Sequence, residues 1–101
     1  MTAYCIVYET VEDPDEFERY RSQVPPTIEA HGGRFLVRGG EFTPLEGEFA
    51  FERIVVLEFP TRSAALGWYN SPEYQQILPI RLGAARGQFI LVDGLTTMNR
   101  L

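Results

Sequence analysis

Lysine is missing from this chain: all nine basic residues are arginine, set against fourteen acidic ones, for a formal charge of −5. An acidic surface repels phosphate backbones, which argues against nucleic acid as a partner. Cysteine is scarce as well. Cys5 stands alone, so no internal disulfide can form. A reactive thiol needs exposure and cationic neighbours, and Cys5 lies in the apolar run AYCIVYE, so a buried, inert thiol is expected. One histidine, no second cysteine and no ligand spacing leave no metal motif, and no cofactor is expected. No apolar run approaches the roughly 18 residues that cross a bilayer, so no membrane partner is expected. The opening MTAYCIVYET has neither a basic head nor a small-residue cleavage site. It does not read as a signal peptide, and a cytoplasmic location is the expectation. Ser22, Ser63 and Ser71 come with no histidine pattern or nucleophile elbow. The glycine pairs at 32–33 and 39–40 flank a strand instead of opening a helix, so they form no phosphate loop.

What is present is the composition of an ordinary globular protein: 101 residues, 45% of them hydrophobic. That is enough for a single domain, 1–101, with one core. A lone domain of this size buries well under three quarters of its unfolded surface, so association would help it.

Residues 3–9 are β-branched and aromatic and read as a strand. In the stretch EDPDEFERY, Asp13 suits a helix cap, Pro14 the first position, and Glu16 the far end of a capping box. Phe17, Tyr20, Val24, Ile28 and His31 follow at steps of three and four, one helical face. Pro25 and Pro26 predict a kink or a restart, and Gly32 a stop. Strands are predicted over 34–42, 52–59 and 87–93, the first two pairing antiparallel. Thr61 can cap a second helix. Ser71-Pro72 predicts a short extra one, ended or bent near Pro79. The tail from Thr96 is expected to be loose. The order is βαββαβ, the α+β split-βαβ or ferredoxin-like arrangement, a four-stranded antiparallel sheet with helices on one face.

Strand alternation then assigns faces. Cys5, Val7, Phe35, Val37, Val55, Leu57, Phe89 and Leu91 point one way. Tyr4, Ile6, Tyr8, Arg34, Leu36, Arg38, Ile54, Val56, Glu58, Ile90 and Val92 point the other. Both faces are largely apolar, whereas a sheet with one wet face shows polar residues at every second place. Helices cover only one face. The predicted remedy is a homodimer, sheet against sheet, enclosing a common interior.

The pieces GGRFLVRGG at 32–40, LEGEF at 45–49, RIVVLEFP at 53–60 and WYNSPEYQ at 68–75 resemble the domain-of-unknown-function family 1330, of the dimeric α/β-barrel superfamily. The resemblance runs over residues 3–95. Phe49 departs from it, since tryptophan is common there. It implies the fold and the dimer but no activity. Superfamily relatives include cofactor-free monooxygenases, isomerases, haem-handling enzymes and sensors, and one fold hosts many functions.

Candidate chemistry falls in three groups, each with a plainer reading beside it. Arg38 or Arg34 could grip a carboxylate, with Glu58 orienting Arg38 or acting as a base; equally, Glu58 could pair with either arginine as a strut. His31 is a ready acid–base group near neutrality and, equally, a helix C-cap. Trp68, Tyr69 and Tyr74 could line an aromatic pocket or pack the core, and Tyr4 and Tyr8 could donate to a ligand oxygen from the interior face. The readings that follow are a small-molecule site, in its catalytic form a cofactor-independent enzyme acting on a small organic acid or aromatic, and a non-catalytic binding or structural module.

Overall fold

The computed structural model describes residues 1–95. The tail from Thr96 lies outside them. β1 (Ala3–Val11) leads into α1 (Pro14–Arg21) and α2 (Val24–Glu29), then β2 (Arg34–Arg38) and β3 (Arg53–Phe59), then α3 (Arg62–Tyr69), α4 (Pro72–Ala84) and β4 (Ala85–Asp93). The strands form one antiparallel sheet in the order β2-β3-β1-β4. This is the ferredoxin-like α+β arrangement, with the first crossover split by β3.

The caps explain where the helices begin. The Asp13 carboxylate accepts from the Glu16 amide at 3.2 Å. Only half the expected capping box forms. Glu16 turns to Arg19 at 2.7 Å, and the Asp13 amide donates to the Ala84 carbonyl instead. Thr61 and Ser71 cap α3 and α4 through the amides of Ala64 and Tyr74. The tandem prolines give a restart: α1 closes at Arg21, and Pro25 and Pro26 sit in the first turn of α2, where missing N–H groups cost nothing. Gly32, at φ 77°, closes α2. Its amide donates to the Glu29 carbonyl and that of Gly33 to the Ile28 carbonyl, both at 3.0 Å, the pattern of a Schellman stop.

α4 is longer than expected. It passes through Pro79 and ends at Ala84. Gln75 and Pro79 both face solvent, so water can solvate the carbonyl that loses its donor. Ile77, Leu78, Arg81 and Ala84 are buried on either side of the proline and hold the second half in place. Trp68 anchors the core at 1% exposure, its ring centre 4.2 Å from that of Tyr74 and 5.4 Å from that of Phe59.

Strict alternation fails in β2, which ends at Arg38, not at residue 42. Arg34 pairs with Glu58 and Phe35 with Leu57, but the next pairs are Val37 with Val56 and Arg38 with Val55. Leu36 is left over as a bulge, and every residue after it changes face. Val37 therefore joins the outer face. Arg38 turns to the helix side, away from Arg34 and Glu58. The outer face carries a continuous apolar row across the sheet, Val37–Val56–Ile6–Ile90. Its ends are open, Val37 at 39% and Ile90 at 46% exposure, with no helix of the described chain over them.

Candidate functional site

Between the helices and the inner sheet face lies a cleft of about 30 Å³, room for one or two water-sized groups. Its walls are apolar, including Phe17, Val24, Ile28, Phe35, Trp68 and Phe89, yet Glu9, Arg21, Arg38, Arg53 and Arg81 also reach it. Glu9 and Arg53 are cross-strand partners on β1 and β3, and Arg53 Nε donates to Glu9 Oε2 at 3.0 Å. Glu9 is buried, as is Arg81 from α4. Burial pushes the Glu9 carboxyl above its ordinary pKa, and Arg53 and Arg81 oppose that push. Arg81 lies over the Phe89 ring at 5.3 Å and beside the Tyr74 hydroxyl. Tyr74 in turn shares a buried hydrogen bond of 2.9 Å with Tyr20. Burial raises both phenols.

Arg38 is held differently. Its Nη2 donates to the Arg21 carbonyl at 2.8 Å and its guanidinium lies 4.4 Å over the Phe35 ring. No carboxylate among the described residues is within ion-pair distance of it. Burial lowers its pKa, and the guanidinium groups of Arg21 and Arg53 lower it further. Three cations thus converge on one edge of the cleft, and only Arg53 has a buried carboxylate partner. Gly39, at φ 73°, makes room for this arrangement, because a Cβ there would run into the Arg53 guanidinium. Gly39→Ala should displace Arg53 and strain the backbone, lowering stability by about 1–3 kcal/mol. A fall in the urea midpoint with an unchanged m-value would register it, and an unchanged midpoint would refute it.

The other candidate residues divide among separate places. Trp68 lines the cleft and donates its indole N–H to Thr27 Oγ1 at 3.0 Å. Tyr74 stands behind Tyr20. Tyr69 lines a second, apolar groove of about 150 Å³ with Cys5, Leu66 and Leu91. Burial pushes the Cys5 thiol up to about 11, as suits an inert thiol. The His31 ring places Nδ1 3.1 Å from the Thr27 carbonyl, at the end of α2, and the ring is not among the cleft walls. Tyr4, Tyr8, Arg34 and Glu58 are on the outer face. Glu58 accepts from Arg34 Nε at 2.8 Å, so it does not orient Arg38, from which the sheet separates it. Among the described residues no three His, Cys, Asp or Glu side chains are grouped as a metal would require.

Glu9, Arg21, Arg53, Tyr20 and Arg81 were not among the residues singled out from the sequence as chemical candidates. Three of them carried a signal. Glu9 continues the alternation of Cys5 and Val7, and Arg53 that of Val55 and Leu57. A carboxylate and a guanidinium on an inner face should seek each other. Arg81 follows Tyr74 and Ile77 at helical spacing, so it too points inward.

A family model described as domain of unknown function DUF1330 matches residues 2–95. No curated protein matches the chain. Solved structures with the same fold include a protein of unknown function from Rhodopseudomonas palustris, 16% identical, with TM-score 0.76 over 94% of this chain and 83% of that one. A protein from Jannaschia sp. described as dimeric and ferredoxin-like is 13% identical, with TM-score 0.70 over 93% of this chain and 100% of that one. A cofactor-independent oxygenase from Streptomyces nogalater is 15% identical, with TM-score 0.63 over 98% of each chain. At such identities the likeness is one of fold. With a family match that spans nearly all the described residues, the chain belongs to the DUF1330 family.

Proposed function

We propose that this protein binds a small organic acid in the cleft between its helices and sheet, and that it works as a homodimer joined through the outer sheet face. The observation that carries the first part is Arg38: a partly buried guanidinium, repelled by Arg21 and Arg53, with no carboxylate of its own. A ligand carboxylate would relieve that repulsion and could be held bidentately. Phe35 and Trp68 would pack the ligand's apolar part. In its catalytic form this reading is a cofactor-independent conversion of the bound acid or aromatic. The oxygenase that shares the fold supports such a conversion in principle and says nothing of the substrate. Tyr4, Tyr8, Arg34 and Glu58 would belong to the interior between the two sheets, apart from the cleft. His31 would serve as a helix cap and Tyr69 and Tyr74 as packing.

A second reading, a module without chemistry, draws on the internal pairing. Glu9 with Arg53, Tyr20 with Tyr74 and Arg34 with Glu58 satisfy one another as struts. A thermal-shift series of small carboxylic acids separates the two. A ligand that binds only the native state at a hundred times its dissociation constant adds about 2.7 kcal/mol. Under the first reading at least one acid raises the melting temperature, and Arg38→Ala abolishes that rise while the protein stays folded. Should no acid shift the wild type, or should Arg38→Ala unfold it, the strut reading stands.

A further inference from the structure

Two buried polar atoms beside the cleft lack a hydrogen-bond partner within the described protein. Glu9 Oε1 and Arg81 Nε are buried and neither has a hydrogen-bond partner, although Glu9 Oε2 is engaged by Arg53. The two residues are 3% and 7% exposed, and both line the same cleft. A buried acceptor and a buried donor left unpaired are each costly, so each of the two calls for a partner. Glu9 Oε1 needs a donor and Arg81 Nε needs an acceptor. A carboxylate meets only the second need, and an ammonium only the first. A hydroxyl meets both, since its proton goes to the carboxylate and its oxygen accepts from the guanidinium. The space agrees, because a cleft of about 30 Å³ has room for a group the size of water beside these atoms.

We infer that the ligand is a hydroxycarboxylic acid, its hydroxyl seated between Glu9 Oε1 and Arg81 Nε and its carboxylate at Arg38. The inference rests on the anion-binding reading above and adds the second anchor. It places a fixed polarity along the cleft: cations at the Arg21–Arg38 edge take the charged end, and the Glu9–Arg81 pair reads the neutral end. Such a site discriminates by hydroxyl, because the analogue that lacks one leaves both buried atoms unpaired.

The test is binding of matched pairs, 3-hydroxybutyrate against butyrate and 4-hydroxybenzoate against benzoate, followed by thermal shift and calorimetry on the full chain. The hydroxy acid of at least one pair should bind the wild type about tenfold more tightly or better. In Glu9→Gln, whose amide brings N–H groups to the carboxylate's position, that preference should fall below about threefold, with residual binding to both members. Arg38→Ala should instead weaken both members alike. If hydroxy and deoxy acids bind the wild type equally, a buried water serves Glu9 and Arg81 and the hydroxyl anchor is wrong, while the anion site survives. If none of the four acids binds, the anion site itself is wrong. Should Glu9→Gln fail to fold, the wild-type pairs alone decide.

Discussion

Glu9→Ala will lower the stability of this protein by about 3–5 kcal/mol, the largest effect expected of any single change to its polar groups. Glu9 is the buried carboxylate between two cations, bonded to Arg53 at 3.0 Å and electrostatically coupled to Arg81. Its removal leaves Arg81, itself buried, and the largely buried Arg53 without a counter-charge. The energy is a penalty for what remains and not the net worth of the pair. Two further variants identify the cause. Glu9→Ala with Arg81→Met should recover part of the loss, because it also removes a stranded charge. Glu58→Ala, which breaks the surface pair with the 68%-exposed Arg34, should cost no more than about 1 kcal/mol. Chemical denaturation measures all three. If Glu9→Ala and Glu58→Ala cost the same, the buried cluster does not have the role given to it here.

Val56→Asp will prevent dimer formation and leave a folded monomer. Val56 sits mid-row on the outer face, beside Val37 on β2 and Ile6 on β1, with Ile90 beyond. Burying an aliphatic side chain of this kind contributes roughly 1.5–3 kcal/mol, and the row brings several of them together. A two-fold interface doubles every substitution, so one aspartate per chain places two carboxylates in an apolar contact, where like charges cost several kcal/mol. The expected result is a dissociation constant raised by about a thousandfold or more, with circular dichroism unchanged. Sedimentation of the wild type at micromolar concentration is the prior check. A wild type that sediments as a single copy removes the outer face from the account, though it leaves the cleft untouched, since every cleft wall comes from one chain.

The two sides of the sheet differ in how far they could be read in advance. Asp13, Thr61 and Ser71 announced three helix starts, because a capping oxygen acts on amides two or three residues away. The tandem prolines marked a break for the same local reason. Pro79 did not end its helix, since the intrinsic cost of proline within a helix was outweighed by buried neighbours on both sides of it. Arg38 misled. Alternation assumes an unbroken ladder, and a one-residue bulge is invisible until the strand's partner is known. That single slip had put Arg38 and Glu58 together, when the sheet lies between them.

Length, composition, periodicity and caps determined from the sequence alone that this chain folds as α+β with a four-stranded sheet, and that both sheet faces are largely apolar. These are properties of short stretches, read within a turn or a strand. Tertiary structure alone decided that Arg38 turns inward, that Glu9 meets Arg53 and nears Arg81, and that two polar atoms remain unpaired beside a cavity. Each of those depends on which strands and helices become neighbours, and contacts across 44 or 72 positions of chain leave no local pattern to read.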